Sequence, residues 1–160
     1  MNILCTKENL KIEKANESDW NPILKLLEET NLTSWLTGNE IYKNFYTVKE
    51  NDNKFLMCCF ALEFEDEIGI LKSFAIRKDL QGKGIGKHIA NRTPEIAKRF
   101  GVKRLYAASI EAPNFWLKTS FKEIKLDEIR DSYFLEYLRV YANKIPNYYK
   151  QTLLFVNLIN

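Results

Sequence analysis

The sequence predicts a single α/β (α+β) domain, residues 1–160, built on a mixed, mostly antiparallel sheet of six or seven strands with helices on both faces. Three observations predict it. The stretch from Leu71 to Phe100 reads as strand, glycine-rich loop and helix without a gap. Ile70 just ahead of it, with Leu71, Phe74, Ala75 and Ile76, suits a strand buried on both faces, and Ile85, Ile89, Ile96, Ala97 and Phe100 recur at roughly helical spacing. Ahead of this unit, two β-rich runs flank a turn composition, as in a hairpin. Behind it, β-rich runs alternate with helical periodicity.

Taken in order, Asn9 to Lys14 alternates Leu10 and Ile12 with polar neighbours and reads as a short first strand. Ser18 or Asp19 can cap a helix whose apolar face uses Trp20, Ile23, Leu24, Leu26 and Leu27, with Pro22 tolerated in the first turn. That helix ends near Thr30 to Leu32, and Asn31 to Asn44 reads as a loop with a short second helix. Phe45 to Lys49 and Phe55 to Phe64 are strands joined through Asn51-Asp52-Asn53. Glu65-Asp66-Glu67 turns the chain into the strand at Ile68. After the central helix, Gly101 terminates it and Val102 to Ala108 forms a strand parallel to the Leu71 strand through a right-handed crossover. Pro113 and Asn114 open a short element, and Lys122 to Leu126 is a sixth strand. A helix over Asp127 to Ala142 carries Ile129, Tyr133, Phe134, Tyr137, Leu138 and Tyr141 on one face. Ile145-Pro146-Asn147 breaks it, and Thr152 to Ile159 closes the sheet against the sixth strand. The connection between those last two strands exceeds what a hairpin needs and suits an acceptor lid or a homodimer surface.

A chain of this length can bury about 68–70% of its unfolded surface and needs no staple. Its net charge of +3 arises from 24 basic and 21 acidic side chains with no block of like sign, which gives nucleic-acid binding little support. Cys5, Cys58 and Cys59 are odd in number and lack metal-ligand spacing, so reduced thiols, no metal and a cytoplasmic location are expected. No apolar run reaches the roughly 18 residues that a membrane span needs.

Chemistry concentrates at Gln81-Gly82-Lys83-Gly84-Ile85-Gly86, which holds half of the six glycines. Glycines there let a ligand approach the main chain, and the first turn of the following helix offers unpaired N–H groups at the positive end of its dipole. Together they make a phosphate site, with Arg77, Lys78, Lys83 and Lys87 nearby. The nucleotide-triphosphate loop fails, because Gln81 stands at its first glycine and His88 at its Ser/Thr. The dinucleotide fingerprint fails as well, because Lys87 or Ile89 falls at its last glycine.

The pattern (Arg or Gln)-x-x-Gly-x-(Gly or Ala) is met by Gln81, Gly84 and Gly86. With the Leu71 to Ile76 strand before it, and Val102 to Ala107 and Phe115 to Phe121 after it, this stretch resembles the GNAT superfamily of N-acyltransferases over some 50 residues. The resemblance implies a pair of parallel strands splayed at their C-terminal ends, with acetyl-CoA as cosubstrate. Phe74, Ala75 and Ile76 would hold the pantetheine arm, and Gln81, Gly82, Lys83, Gly84, Ile85, Gly86 and Lys87 the pyrophosphate, with Asn114 and Trp116 beside the cofactor. The Ile76 N–H would serve as oxyanion donor. Trp35, Tyr42 and Phe45 would line the acceptor pocket, although aromatics there also suit the core.

Two departures from the family pattern stand out. Ser120 replaces the usual glycine, and Trp116 replaces a tyrosine that would protonate the departing thiolate; an indole cannot act as a general acid near neutral pH. The base stays open among Glu63, Glu65 and Glu111, since Ile70, Leu71 and Lys72 occupy the strand where many members carry a glutamate. His88, the one histidine, is expected at the surface or beside phosphate. The function implied is N-acetylation of a primary amine of a small molecule or amino acid. The alternatives are an acetyltransferase of protein N-termini or lysines, a non-catalytic acyl-CoA sensor, and a nucleotide-binding module that ignores CoA.

Overall fold

The computed structural model describes residues 10–32, 36, 41–50 and 55–160. Its strands are β1 (Leu10–Lys14), β2 (Phe45–Glu50), β3 (Leu56–Glu65), β4 (Ile68–Ile76), β5 (Arg104–Ser109), β6 (Lys122–Ile124) and β7 (Leu153–Leu158). Its helices are α1 (Trp20–Glu29), α2 (Ile85–Lys98), α3 (Pro113–Leu117), α4 (Ser132–Ala142) and α5 (Tyr148–Gln151). The seven strands form one sheet in the order β1-β2-β3-β4-β5-β7-β6. Strands β4 and β5 run parallel, with Ile68, Gly69 and Ile70 opposite Arg104, Leu105 and Tyr106, whereas β1–β2, β2–β3, β5–β7 and β6–β7 pair antiparallel. This is the mixed, mostly antiparallel arrangement the sequence predicts. The expected turn at Asn51-Asp52-Asn53, Cys5, Asn9 and most of the expected second helix lie outside the described residues. What is described of that helix is a 3-10 turn, Tyr42–Asn44.

The framework divides into two compact units, Met1–Leu62 with Ser73–His88, and Glu63–Lys72 with Ile89–Asn160. In the first, Ile23, Leu26 and Leu27 of α1 bury against Phe45, Cys59, Ala61 and Ala75 of the strands. The wholly enclosed Phe45 alone contributes on the order of 2 kcal/mol and meets Trp20 edge-on at 5.4 Å. Asp19 stands at the N-cap position of α1 without a side-chain bond to that helix, and the chain reaches it through a 3-10 turn, Glu17–Asp19, capped at Asn16. The Asp19 carboxylate accepts the Asn16 N–H at 2.9 Å and pairs with Lys49 Nζ at 2.7 Å. Burial raises the Asp19 pKa, but the Asn16 N–H and Lys49 outweigh it and hold the group below the usual range. A bulge in the β2–β3 ladder, where Val48 faces Cys58 and Lys49 faces Leu56, leaves Met57 extra. Its carbonyl accepts the Arg77 N–H at 2.9 Å, just past the end of β4.

In the second unit, β7 lies between β5 and β6 and pairs with both antiparallel. Helix α2 carries Pro94 in its interior, where proline removes the N–H that should reach the Ala90 carbonyl. The hydroxyl of Thr93, fully buried, donates to that carbonyl at 2.8 Å instead. Gly101, at φ +81°, ends the helix with paired bonds from Gly101 N–H to Lys98 and from Val102 N–H to Ala97.

Helix α4 begins at Ser132, five residues after the expected Asp127. Leu126–Glu128 closes as a separate 3-10 turn, and Ile129 is extended. Asp131 precedes the helix with its carboxylate engaged by Arg104 of β5, Nε to Oδ2 at 2.8 Å and Nη2 to Oδ1 at 2.9 Å, and by the Tyr106 hydroxyl. The four-residue α5, entered through left-handed Asn147 at φ +57°, is unforeseen in the sequence.

Candidate functional site

The glycine loop lies within the first unit. From Ile76 the chain passes through a 3-10 turn, Lys78–Leu80, to the exposed run 81–84 and into α2 at Ile85. Gly82 and Gly84 take φ of +78° and +79°, a region closed to most side-chain-bearing residues, and a Cβ built on Gly82 meets nothing within 4 Å. The Gly84 carbonyl accepts the His88 N–H at 3.1 Å, so the amides of Ile85, Gly86 and Lys87 precede the first intrahelical bond. Lys83 and Lys87 are exposed beside them, and His88 is half-buried. The one carboxylate in the turn, Asp79, is held below its usual pKa by the Arg77 guanidinium, which forks onto it at 2.9 and 2.7 Å. Gln81 has a structural task as well: its side-chain amide donates to the Ile76 carbonyl at 3.2 Å, tying the loop to the strand. These features fit a phosphate group.

Phe74, Ala75 and Ile76 follow Ser73, whose φ of +53° is strained for a residue with a Cβ. The Cys59 thiol points at the Ser73 carbonyl from 3.8 Å. Burial pushes Cys59 up to about 12, despite a bond from the Ala75 backbone, and pushes Cys58 up as well, so neither is a thiolate nucleophile. Beside the 3-10 turn, a surface pocket of about 450 Å³ is lined by Leu26, Glu29, Thr30, Arg77, Lys78 and Asp79. Of the acceptor-side candidates, Tyr42 is half-buried against the first unit's core, Phe45 is enclosed in that core and offers a ligand no surface, and Trp35 lies outside the described residues.

The second unit holds the remaining candidates. Glu65, Glu111 and Asn114 are exposed, whereas Glu63 is half-buried, its Oε1 3.1 Å from Nζ of the buried Lys72. Sequence reasoning passed over Lys72. The signal was present, because counting outward from the two-residue turn Asp66-Glu67 puts Glu63 and Lys72 on one face of a hairpin.

Trp116 is only 6% exposed and packs edge-on against Phe115 and Phe121, each at 5.2 Å, with Phe155 behind. Its indole is part of the core, which accounts for a residue there that cannot supply a proton. Ser120, in the family's glycine position, is held on two sides. Its N–H donates to Asn91 Oδ1 at 2.7 Å, and Asn157 Nδ2 donates to its carbonyl at 3.2 Å and its hydroxyl oxygen at 3.0 Å. Among the described residues no group of His, Cys, Asp and Glu could hold a metal ion, and no helix is long and apolar enough to cross a membrane.

A mixed sheet whose parallel pair leads through left-handed glycines to an open helix start is an α/β arrangement suited to holding a phosphate-bearing ligand. The chain belongs to the acetyltransferase (GNAT) family, whose model matches residues 11–120. Solved structures agree on the fold. N-acetylglutamate synthase from Neisseria gonorrhoeae, complexed with coenzyme A and L-arginine, superposes with a TM-score of 0.72 at 19% identity. The match covers 94% of this chain and 33% of that one, so this chain spans about a third of the synthase. Rv2747 from Mycobacterium tuberculosis, in complex with CoA, gives 0.70 at 20% identity, covering 94% and 99%. A GNAT acetyltransferase from Staphylococcus aureus gives 0.64 at 13%, covering 94% and 99%.

Proposed function

We propose that the protein transfers an acetyl group from acetyl-CoA to the primary amine of a small molecule or amino acid. The observation that carries this reading is the pair of left-handed glycines opening onto the first amides of α2. The main chain and lysines of residues 81–87 hold the pyrophosphate, and the backbone of Phe74, Ala75 and Ile76 aligns the pantetheine arm. Asn114 and the backbone around Trp116 flank the cofactor. The amine nitrogen attacks the thioester carbonyl, forming the C–N bond. The C–S bond breaks and the pair of electrons leaves with sulfur as thiolate. The Ile76 N–H steadies the oxygen on which charge develops. Among the three carboxylates that could take the ammonium proton, Glu63 is half-buried beside Lys72, while Glu65 and Glu111 are exposed. A thiolate of reference pKa about 8.5 can leave without a protein acid, consistent with an enclosed Trp116. Alignment of the two reactants can supply up to roughly 7–11 kcal/mol of the barrier. The chain acts in the cytoplasm, with Tyr42 on the acceptor side.

Thermal melting with saturating acetyl-CoA, followed by thiol release with an amine panel, tests the reading. A raised Tm with amine-dependent thiol is expected. No shift at saturation refutes the site, and a shift with no thiol from any amine identifies a sensor of acyl-CoA.

A further inference from the structure

The surface pocket of about 450 Å³ beside the 3-10 turn belongs wholly to the first unit, which also carries the glycine loop and residues 74–76. Its volume suits a small molecule. Its place suits an acceptor. The lining starts at Arg77, the residue after the Ile76 that donates to the oxyanion in the proposed reaction, and Leu26 belongs to the core on which Tyr42 packs.

The two walls differ in chemistry. On the α1 side the polar groups accept. Glu29 is an exposed carboxylate, and the one hydrogen of the Thr30 hydroxyl is committed to its own helix, at 2.8 Å from the Leu26 carbonyl and 3.3 Å from that of Leu27, which leaves lone pairs on its oxygen. Glu28 and Glu29 also stand at the negative pole of the helix dipole, with no basic residue in the last turn to offset them. Such a terminus works against the helix and favours a cation beside it. The wall after β4 presents donors. There Arg77 forks onto Asp79, so the carboxylate of the turn is matched within its own wall, and Lys78 stands exposed. Among the described residues neither Glu29 nor Lys78 has an ion pair, although both line this pocket. The pocket thus contains one internal pair and, on two different elements, one unmatched charge of each sign.

We propose that this pocket binds the acceptor and selects an amino acid, whose ammonium meets Glu29 and Thr30 and whose carboxylate meets Lys78. The inference rests on the acetyl-transfer reading and adds the place and class of the amine. A ligand carrying both charges answers both walls and keeps the pocket neutral. An amine without a carboxylate leaves Lys78 unmatched. A carboxylate without an amine leaves Glu29 unmatched at the negative end of α1.

The test measures thiol release from acetyl-CoA with each L-amino acid and with the matched amine that lacks its carboxylate. The amino acid used best should exceed its amine in kcat/KM by about fivefold or more, the value of one ion pair near the surface. Lys78→Met should erase that margin by raising KM for the amino acid while leaving KM for the amine nearly unmoved. Glu29→Gln should raise KM for both, because both bring an ammonium. Both positions are exposed, so neither change disturbs the core. Equal use of amino acid and amine by the wild type overturns the inference, as does a Lys78→Met change that raises both acceptor KM values alike. A Lys78→Met change that raises KM for acetyl-CoA and spares the acceptor overturns it too, and gives the pocket to the cofactor. In those three cases the transferase reading stands. A protein that acetylates no amine refutes that reading, and this assignment falls with it.

Discussion

Replacing Thr93 by valine should destabilise the protein far more than the loss of one hydroxyl on a surface helix. Thr93 is fully buried, and its hydroxyl supplies the bond to the Ala90 carbonyl that Pro94 cannot. Valine matches its shape but strands a buried carbonyl at a cost of about 1–3 kcal/mol. For a chain of this size that corresponds to a fall in Tm of roughly 2–12 °C. The argument predicts its own rescue. Pro94→Ala restores an N–H four residues after Ala90, so in that background Thr93→Val should cost no more than about 0.5 kcal/mol. Urea unfolding of the wild type, both single variants and the double variant closes the cycle. An equal penalty for Thr93→Val with proline or alanine at position 94 would refute the claim that the hydroxyl stands in for the missing amide.

Gly84→Asp should abolish the rise in Tm caused by acetyl-CoA, because a carboxylate at a left-handed position of φ +79° both strains the loop and repels phosphate; an undiminished rise would move the anion elsewhere. Trp116→Phe should keep most of the activity while costing roughly 0.5–3 kcal/mol of stability from the aromatic cluster it leaves under-filled. Near-total inactivation of a folded variant would give the indole a chemical role. Asp131 has its pKa lowered by Arg104 first and then by Tyr106. The pair therefore stabilises the fold above the ordinary carboxylate range, and this is lost as pH falls through the lowered value. The Tm gap between wild type and Asp131→Asn should accordingly be present at pH 7 and close below about pH 4, and parallel curves would count against the linkage. In a Cys5→Ser background, Cys58 and Cys59 should react with a disulfide reagent at neutral pH only as fast as the protein opens, since both thiols are buried and raised.

The strand, glycine loop and helix from Leu71 to Phe100 were legible because every signal there is local: an apolar run, alternating glycines, helical spacing. The β2–β3 hairpin was legible for the same reason. What escaped depends on partners far along the chain. Asp127 looks like a helix start, yet the helix waits until Ser132 because Asp131 is fixed by Arg104 and Tyr106, some 25 residues away. Asp19 stands at the cap position the sequence suggests, but its carboxylate turns back to Asn16 and across to Lys49 in place of capping the helix amides. Phe45 looks like a pocket wall and is core. The phosphate loop, made of main chain, could be read from glycine positions, whereas the Glu63–Lys72 pair could be read only by counting both strands outward from the Asp66-Glu67 turn.

The fastening of Ser120 bears on how this sequence can vary. One residue presents an amide, a carbonyl and a hydroxyl to Asn91 on α2 and Asn157 on β7. Glycine arriving there would deprive Asn157 of one acceptor, and an apolar residue at 91 would hand the exposed amide to water. The three positions should therefore be only modestly coupled, each replacement costing no more than about 1 kcal/mol.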